Sequence, residues 1–410
     1  MTLIVGHRGV TPIVVPNGEH VLLIGPPASG KTAGFLVPSV LNHDGPVLVT
    51  SSKSDVVGLT NGRSRRGNRY SLTVGGTPVP GTIPVAWNPL AGCEWFEEAI
   101  LRAEAMVQTV KVLQGSSAKD ALWFTLASRT LAALMHVVAL EEAGPLAMLQ
   151  MLDWATTGDL AHPLELARQS GASAAHTILD GIASLEYRMR DSVLITLVQC
   201  LRIFDSPALQ NTLSTAAPFD PRQFVASTDT LYVVAPLEHQ EFFAALVVGL
   251  VDTVARAAMA QAPRYEHLPR EGRPAVVLAL DEVANIAPLH NLPRLVSAGS
   301  GQGVQVMAVL QDLSQAKARW QEQSSGFLTL FQHKVVLPGV MHAETLEAVS
   351  KCLPHLSAHG TPIPEYHPSG IASLRRHQPG APGEALWIDG ARPERVGIYT
   401  IHDHRAARGR

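Results

Sequence analysis

The chain has 410 residues, of which 46% are apolar and 16% charged, against a usual charged share of roughly 25%. That composition supports a large buried core and excludes a disordered chain; at about 150 residues per domain it allows two or three domains, or one large domain with an insertion. With 32 Lys and Arg against 35 Asp and Glu, formally −3, a wholly basic nucleic-acid binder is excluded, and any polyanion must bind locally, in a groove or a pore.

The N-terminus lacks a basic region followed by a long apolar stretch and does not read as a signal peptide. His20 to Ile24 (HVLLI) is an apolar run ending at Gly25; Lys31 to Leu41 has helical spacing, and Pro46 to Thr50 (PVLVT) follows a break at Asn42–Gly45. Strand, loop, helix, strand is the opening of a parallel α/β sheet. From Glu97 to about Leu213 the pattern changes to long helical periods. Alternation returns at Thr230–Ala235, Ala275–Leu280, Val304–Leu310 and Lys334–Leu337, with helical stretches Gln240–Gln261 and Ser314–Gln323 between them. The expected organisation is a nucleotide-binding α/β domain over residues 1–96 and 216–410, interrupted by an all-helical insertion over 97–215.

Two apolar stretches need weighing as membrane spans. Ala121–Leu140 has Arg129 near its centre, which costs about 2.5–3.5 kcal/mol in a bilayer. Phe242–Val251 is ended by Asp252 and is too short to span; both read as buried helices. Cys93, Cys200 and Cys352 form no CxxC pair or Cys/His cluster, which argues against zinc or a disulfide framework and fits a reducing cytoplasm. Ser357–Gly383, rich in Pro, reads as an irregular surface segment, and its His359, His367 and His377 as loop residues rather than metal ligands.

Gly25, Pro26, Pro27, Ala28, Ser29, Gly30, Lys31 and Thr32, followed by Ala33, match the phosphate-loop pattern G-x-x-x-x-G-K-[ST] in full. Glycines let backbone N–H groups turn inward around phosphates, and the following helix presents its positive end to the same anion. Lys31 is placed to reach the β- and γ-phosphates and Thr32 to bind Mg²⁺. Such a loop needs a carboxylate at the end of a neighbouring strand. Asp281 and Glu282 stand directly after Ala275–Leu280: Asp281 to hold Mg²⁺ through water, or to cap the next helix, and Glu282 to polarise the attacking water. Gln311, at the end of Val304–Leu310, is placed to sense the γ-phosphate or simply to cap its strand. Open α/β sheets put ligands at this edge. The implied cofactors are ATP and Mg²⁺.

Together these blocks resemble the coupling ATPases of conjugation and type IV secretion, the TraG/TraD-like family. The resemblance rests on GPPASGKTAGFLVPSVLN with GPVLVTSSKSDV after it, on Trp87-Asn88-Pro89-Leu90, and on the block from Leu280 to Gln315 with its acidic pair, Leu-Pro turn, Gly-rich turn and Gln311. It spans about residues 18–340. It implies a RecA-like P-loop NTPase domain, with a central mostly parallel sheet, interrupted by an all-helical insertion and assembled as a homo-hexamer. It also implies an ATP-hydrolysing motor that passes single-stranded DNA, or a relaxase-type nucleoprotein, to a type IV secretion channel. Duplex-DNA pumping and a nucleotide-gated docking platform with little turnover are the alternatives.

Two departures from the family pattern are expected to matter. Family members usually begin with transmembrane helices, whereas this chain opens almost at the nucleotide-binding core. The expectation is a cytoplasmic protein that meets the inner face of the membrane through a partner. The family's Gly-rich turn usually carries an arginine directed at the neighbouring subunit; Ser300 stands there, leaving Arg294 and Arg319 as substitutes or as plain surface charges. For DNA, the densest basic run is Arg63, Arg65, Arg66 and Arg69 with Tyr70 beside it, read either as a solvated loop or as phosphate contacts. The basic tail His402–Arg410 reads as a fraying terminus. Trp123 and Phe124, in the insertion, read as core.

Overall fold

The computed structural model describes residues 3–73, 79–115, 121–141, 144–269, 272–354, 363–378, 381–400 and 403. Thirteen strands among them join side by side: β1 (Leu3–Arg8), β2 (Thr11–Val15), β3 (Val21–Ile24), β4 (Val47–Ser51), β5 (Arg69–Thr73), β6 (Ile83–Ala86), β7 (Ala217–Pro218), β8 (Thr230–Val234), β9 (Val276–Leu280), β10 (Val304–Leu310), β11 (His333–Val336), β12 (Gly383–Asp389) and β13 (Arg392–Ile398). Their order is β2-β1-β13-β12-β11-β3-β10-β9-β4-β8-β5-β6-β7. From β11 to β7 neighbouring strands run parallel. From β11 outward through β12, β13 and β1 to β2 they alternate in direction.

Central strands of a parallel sheet are covered on both faces and read as continuous apolar runs, as VLLI, VLVTS and VVLAL do here. Alternate residues supply two separate cores. Val21, Leu23, Val47, Val49, Val277, Ala279, Met307 and Val309 point one way. They meet Phe35, Leu36, Val37 and Val40 from the turn that follows β3: a π-helical turn (Thr32–Leu36) running into α1 (Val37–Asn42). Leu22, Ile24, Leu48, Leu278, Leu280, Val306 and Ala308 point the other way.

A short α2 (Asp55–Leu59) follows β4 and joins the first core through Val56 and Val57. The second face carries most of the other helices. After β6 come α3 (Phe96–Gln114), α4 (Ala121–Leu140), α5 (Ala147–Thr157), α6 (Ala161–Gln169), α7 (Ser173–Ala183), α8 (Tyr187–Leu201) and α9 (Pro207–Thr215). Then follow α10 (Pro221–Val225), α11 (Gln240–Gln261), α12 (Leu292–Gly299) and α13 (Leu313–Trp320). α3 ends on Gly115 at φ 62°, the left-handed stop that glycine adopts without steric cost. It packs against both α4 and α11. Phe124, Leu131 and Met135 of α4 therefore belong to the same apolar core as Leu246 and Val251 of α11 and the sheet residues above them. Trp123 lies half-buried against this core.

Two helical stretches, Ala121–Leu140 and Leu237–Tyr265, are long and apolar enough by length and composition to cross a bilayer, with 56% and 72% of their most apolar windows buried inside the protein. The expectation that the second stretch is too short to span is corrected by this length. The helix runs on through Asp252, whose carboxylate is paired with Arg256 at 2.8 Å one turn on and accepts from Asn291 at 2.9 Å.

Candidate nucleotide site

The phosphate loop joins the C-terminal end of β3 to the π turn, with neighbours on both sides. The Gly25 N–H donates to Leu310 O of β10 at 3.0 Å, and the Leu337 N–H donates to Ile24 O at 2.8 Å. Gly25 has no room for a side chain: a Cβ there would lie 2.7 Å from Ser29 Oγ and 2.8 Å from Leu337 Cβ. Gly30 at φ 94° and Ala28 at φ 61° turn the loop back on itself; the left-handed region suits glycine, and for alanine it is strain held by surroundings. The Lys31 ammonium donates to Gly25 O at 2.6 Å and Pro26 O at 2.8 Å.

The acidic pair comes to the same place. β9 is separated from β3 only by β10, so its C-terminal end emerges beside the loop. The Thr32 hydroxyl donates to Asp281 Oδ2 at 3.0 Å across 249 residues of sequence. Thr50, at the end of β4, donates to Asp281 O at 3.0 Å, and the Glu282 N–H donates to Asp281 Oδ1 at 3.2 Å. Glu282 itself has φ 51°, and its carboxylate lies 3.4 Å from both Ser52 Oγ and Gln240 Nε2. Gln311 follows Leu310, which pairs with Ile24, and therefore stands at the same edge beside Gly25; its backbone N–H is capped by Gln315 Oε1 at 2.8 Å.

Burial dominates the electrostatics. It pushes the Asp281 carboxyl above its usual range, against the pull of the Thr32 hydroxyl and Lys31. It pushes the Lys31 ammonium below its usual range, against Asp281 and Glu282. The donor set fits a magnesium nucleotide. A hydroxyl and a buried carboxylate 3.0 Å apart are a hard-oxygen pair, and Ser29 Oγ in the loop is buried with no partner. Ser52 and Gln240 were not anticipated from the sequence. Both follow the ends of parallel strands, and aligning those ends is the signal that would have found them.

Two arginines of the basic run are buried rather than set out on a loop. Arg63 is 1% exposed. Its guanidinium donates to His43 O, to Gly45 O and Thr228 O at 2.7 and 2.8 Å, and to Thr230 Oγ1 at 2.8 Å, stitching β8 to the start of β4. Arg69 is also buried, donating to Val57 O and Asn61 Oδ1 over the Tyr232 ring. Arg66 bonds His43 O and Asp44. Of the four, Arg65 and Arg66 are exposed, and Tyr70 lies half-buried at edge-on distance from Phe219. The two readings given to this run, solvated loop and phosphate contact, are thus both corrected for Arg63 and Arg69.

Arg319 is likewise no plain surface charge: it donates to Ala284 O, Leu113 O and Glu241 Oε1 at 2.9, 3.0 and 3.0 Å. Arg294 is exposed on α12, and Ser300 ends that helix. His367 lies 3.1 Å from Ser369 Oγ and His377 2.7 Å from Asp403 Oδ2. His359 and the tail from 402 onward, Asp403 apart, lie outside the described residues.

A phosphate loop and an acidic pair at one edge of a mostly parallel sheet, with β10 between them, define a RecA-like P-loop NTPase fold whose sheet is interrupted by helices. Residues 4–355 match the family described as type IV secretory system conjugative DNA transfer, and the chain belongs to that family. It is 23% identical over 325 residues to the conjugal transfer protein TraG of Escherichia coli, covering 73% of this chain; the chain spans about half the length of that relative, 49%. Among solved structures it is similar to the bacterial conjugative coupling protein TrwBdeltaN70 in an unbound form, with TM-score 0.70, 16% identity, and 95% and 86% of the two chains covered. It is also similar to TrwB in complex with ADP and Mg²⁺, with TM-score 0.68, 16% identity and coverage of 94% and 86%. VirB4 of Thermoanaerobacter pseudethanolicus is more distant, with TM-score 0.51 and 14% identity over 97% of this chain and 96% of that one. At such identities the structural likenesses speak to the fold.

Proposed function

We propose that the chain is the ATP-hydrolysing coupling subunit of a conjugative type IV secretion apparatus, recruiting single-stranded DNA or a relaxase-type nucleoprotein and driving it towards the channel as a ring of identical subunits. The observation that carries this reading is the 3.0 Å bond from Thr32 to Asp281, which closes the phosphate loop onto the acidic pair. The complexes of TrwB with ADP and Mg²⁺ and with a non-hydrolysable ATP analogue add support for the ligand.

In this reading Thr32 and Asp281 would hold a magnesium ion, Asp281 through water, and its charge would offset that of the phosphates. Lys31 exchanges its two loop carbonyls for phosphate oxygens. Its weakened hold on a proton is reversed once an anion faces it. Ala28 to Ala33 offer backbone N–H groups, Pro26 and Pro27 having none, Glu282 would accept the proton of the attacking water, and Gln311 would stand beside the γ-phosphate.

The test is ATP turnover with and without DNA. Lys31→Ala and Glu282→Gln are each expected to lower kcat by about 10²-fold or more, with DNA stimulating the unaltered chain several-fold. Stimulation by duplex alone would favour a duplex pump. One observation favours a docking platform instead: Ser300 stands where the family carries an arginine, and Arg319 is turned inward. Slow turnover indifferent to DNA would decide for it.

A further inference from the structure

Glu282 is held from two sides. Gln240, the first residue of α11, is 4% exposed, and its amide nitrogen lies 3.4 Å from both Ala235 O and Glu282 Oε2. A primary amide carries two N–H donors and can serve both acceptors. The backbone at Glu282 is strained at φ 51°, and a non-glycine residue persists there only where its surroundings over-determine it. The Asn285 and Ile286 N–H groups close that turn onto Glu282 O at 2.8 and 3.0 Å.

The next residue of α11 leads outward. Glu241 pairs with Arg319 at 3.0 Å, and the same guanidinium donates to Ala284 O, two residues beyond Glu282, and to Leu113 O in the last turn of α3. A helix's last carbonyls have no partner within the helix and favour a cation, while an acid favours its first turn; Arg319 and Glu241 meet both demands. Three elements distant in sequence therefore hang on one side chain. Beside them lies a cavity of about 190 Å³, its walls including Val110, Leu113, Gln199, Arg202 and Phe242. The end of α3 is thus not close-packed on that side and has room to shift.

We propose that Gln240 and Arg319 are positioning residues for the Glu282 carboxylate, Gln240 by holding it directly and Arg319 by tying its loop to the end of α3. The inference rests on the ATP-hydrolysing reading above. A displacement of the helical segment at Leu113 is passed by Arg319 to Ala284 and by Glu241 to the start of α11, and both paths end at Glu282.

Kinetics and hydrogen exchange on the full chain test this together. Gln240→Ala and Arg319→Ala are each expected to lower kcat for ATP about tenfold while KM and ADP affinity stay within about twofold. The double variant should fall no further than the lower single one, because the two act through one carboxylate. Arg319→Lys, which keeps the charge but not the fork that reaches several acceptors, should lie between. Without nucleotide, Arg319→Ala should speed exchange at 110–115 and at 283–286 together. KM or ADP affinity moving in step with kcat, additive losses, or exchange rising at only one of the two segments would overturn the proposal. A wild-type chain without turnover would instead overturn the hydrolytic reading, and the exchange comparison still decides whether Arg319 makes the tie.

Discussion

His20 and His43 are both buried, and burial lowers each imidazole to about 4. His20 Nδ1 accepts the Val306 N–H at 3.0 Å, and His43 Nε2 lies 2.9 Å from Ala275 O. Between pH 6.5 and 4 the unfolded chain binds protons at these positions that the folded chain refuses, so their contribution is complete above about pH 6.5 and is lost as pH falls towards 4. By pH 5 the loss is about 2 kcal/mol per group. Urea unfolding at pH 7 and pH 5 should show it, and His43→Gln should flatten the dependence by up to one proton. Arg63 gives a second expectation at this scale. Arg63→Ala strands buried carbonyls of His43, Gly45 and Thr228 and should cost about 3–5 kcal/mol, whereas Arg65→Ala should change urea stability by less than about 0.5 kcal/mol. The sequence could not separate these neighbours, because the acceptors that bury Arg63 include Thr228 and Thr230, some 165 residues away.

The elements that announce themselves in the sequence are those covered on both faces. β3 and β9 are unbroken apolar runs, β4, β8 and β10 are apolar apart from one or two buried polar residues each, and α11 appears over the stretch its spacing predicts, Gln240–Gln261. The antiparallel edge was illegible for the opposite reason. β13 is RPERVGI, with Arg, Pro and Glu in its partly exposed half, and β2 is mostly exposed or half-buried, so neither presents a two-residue period strong enough to stand out. β5 was hidden because it starts inside the basic run. Packing between elements supplies a further expectation. A methyl on Gly34, in the π turn, would sit 2.8 Å from Ile398 Cγ2 of β13. Gly34→Ala should therefore cost about 1–3 kcal/mol, and Gly34→Ala with Ile398→Ala less than the sum of the two, read by thermal or urea unfolding.

Across the whole molecule, the helices between 96 and 215 share their core with α11 and the lower face of the sheet. The sequence reading set residues 97–215 apart as an all-helical insertion; helices α3 to α9 occupy that stretch, and their core is continuous with that of the sheet. The shared core predicts that replacing residues 97–215 with a short linker uncovers Trp87, Leu246 and Val247 and yields aggregated chain by size exclusion; a monodisperse product would show that the sheet needs no cover there. The candidate nucleotide site could be picked out in the sequence because such chemistry demands fixed residue types at fixed spacings. The residues that aim Glu282 could not, since a glutamine opening a helix has no signature of its own.

Both ends of the described chain meet at one margin of the sheet, where His7 of β1 pairs with Gly397 of β13. Immediately beyond, Ile398 abuts Gly34 and stands 3.6 Å from where a Cβ on Gly30 would lie, and Tyr399 O comes within 3.8 Å of the Gly34 position. The hairpin of β12 and β13 is thus the rear wall of the phosphate cradle. A pull on that hairpin from outside would reach the loop at Gly30 and Gly34 without entering the cleft.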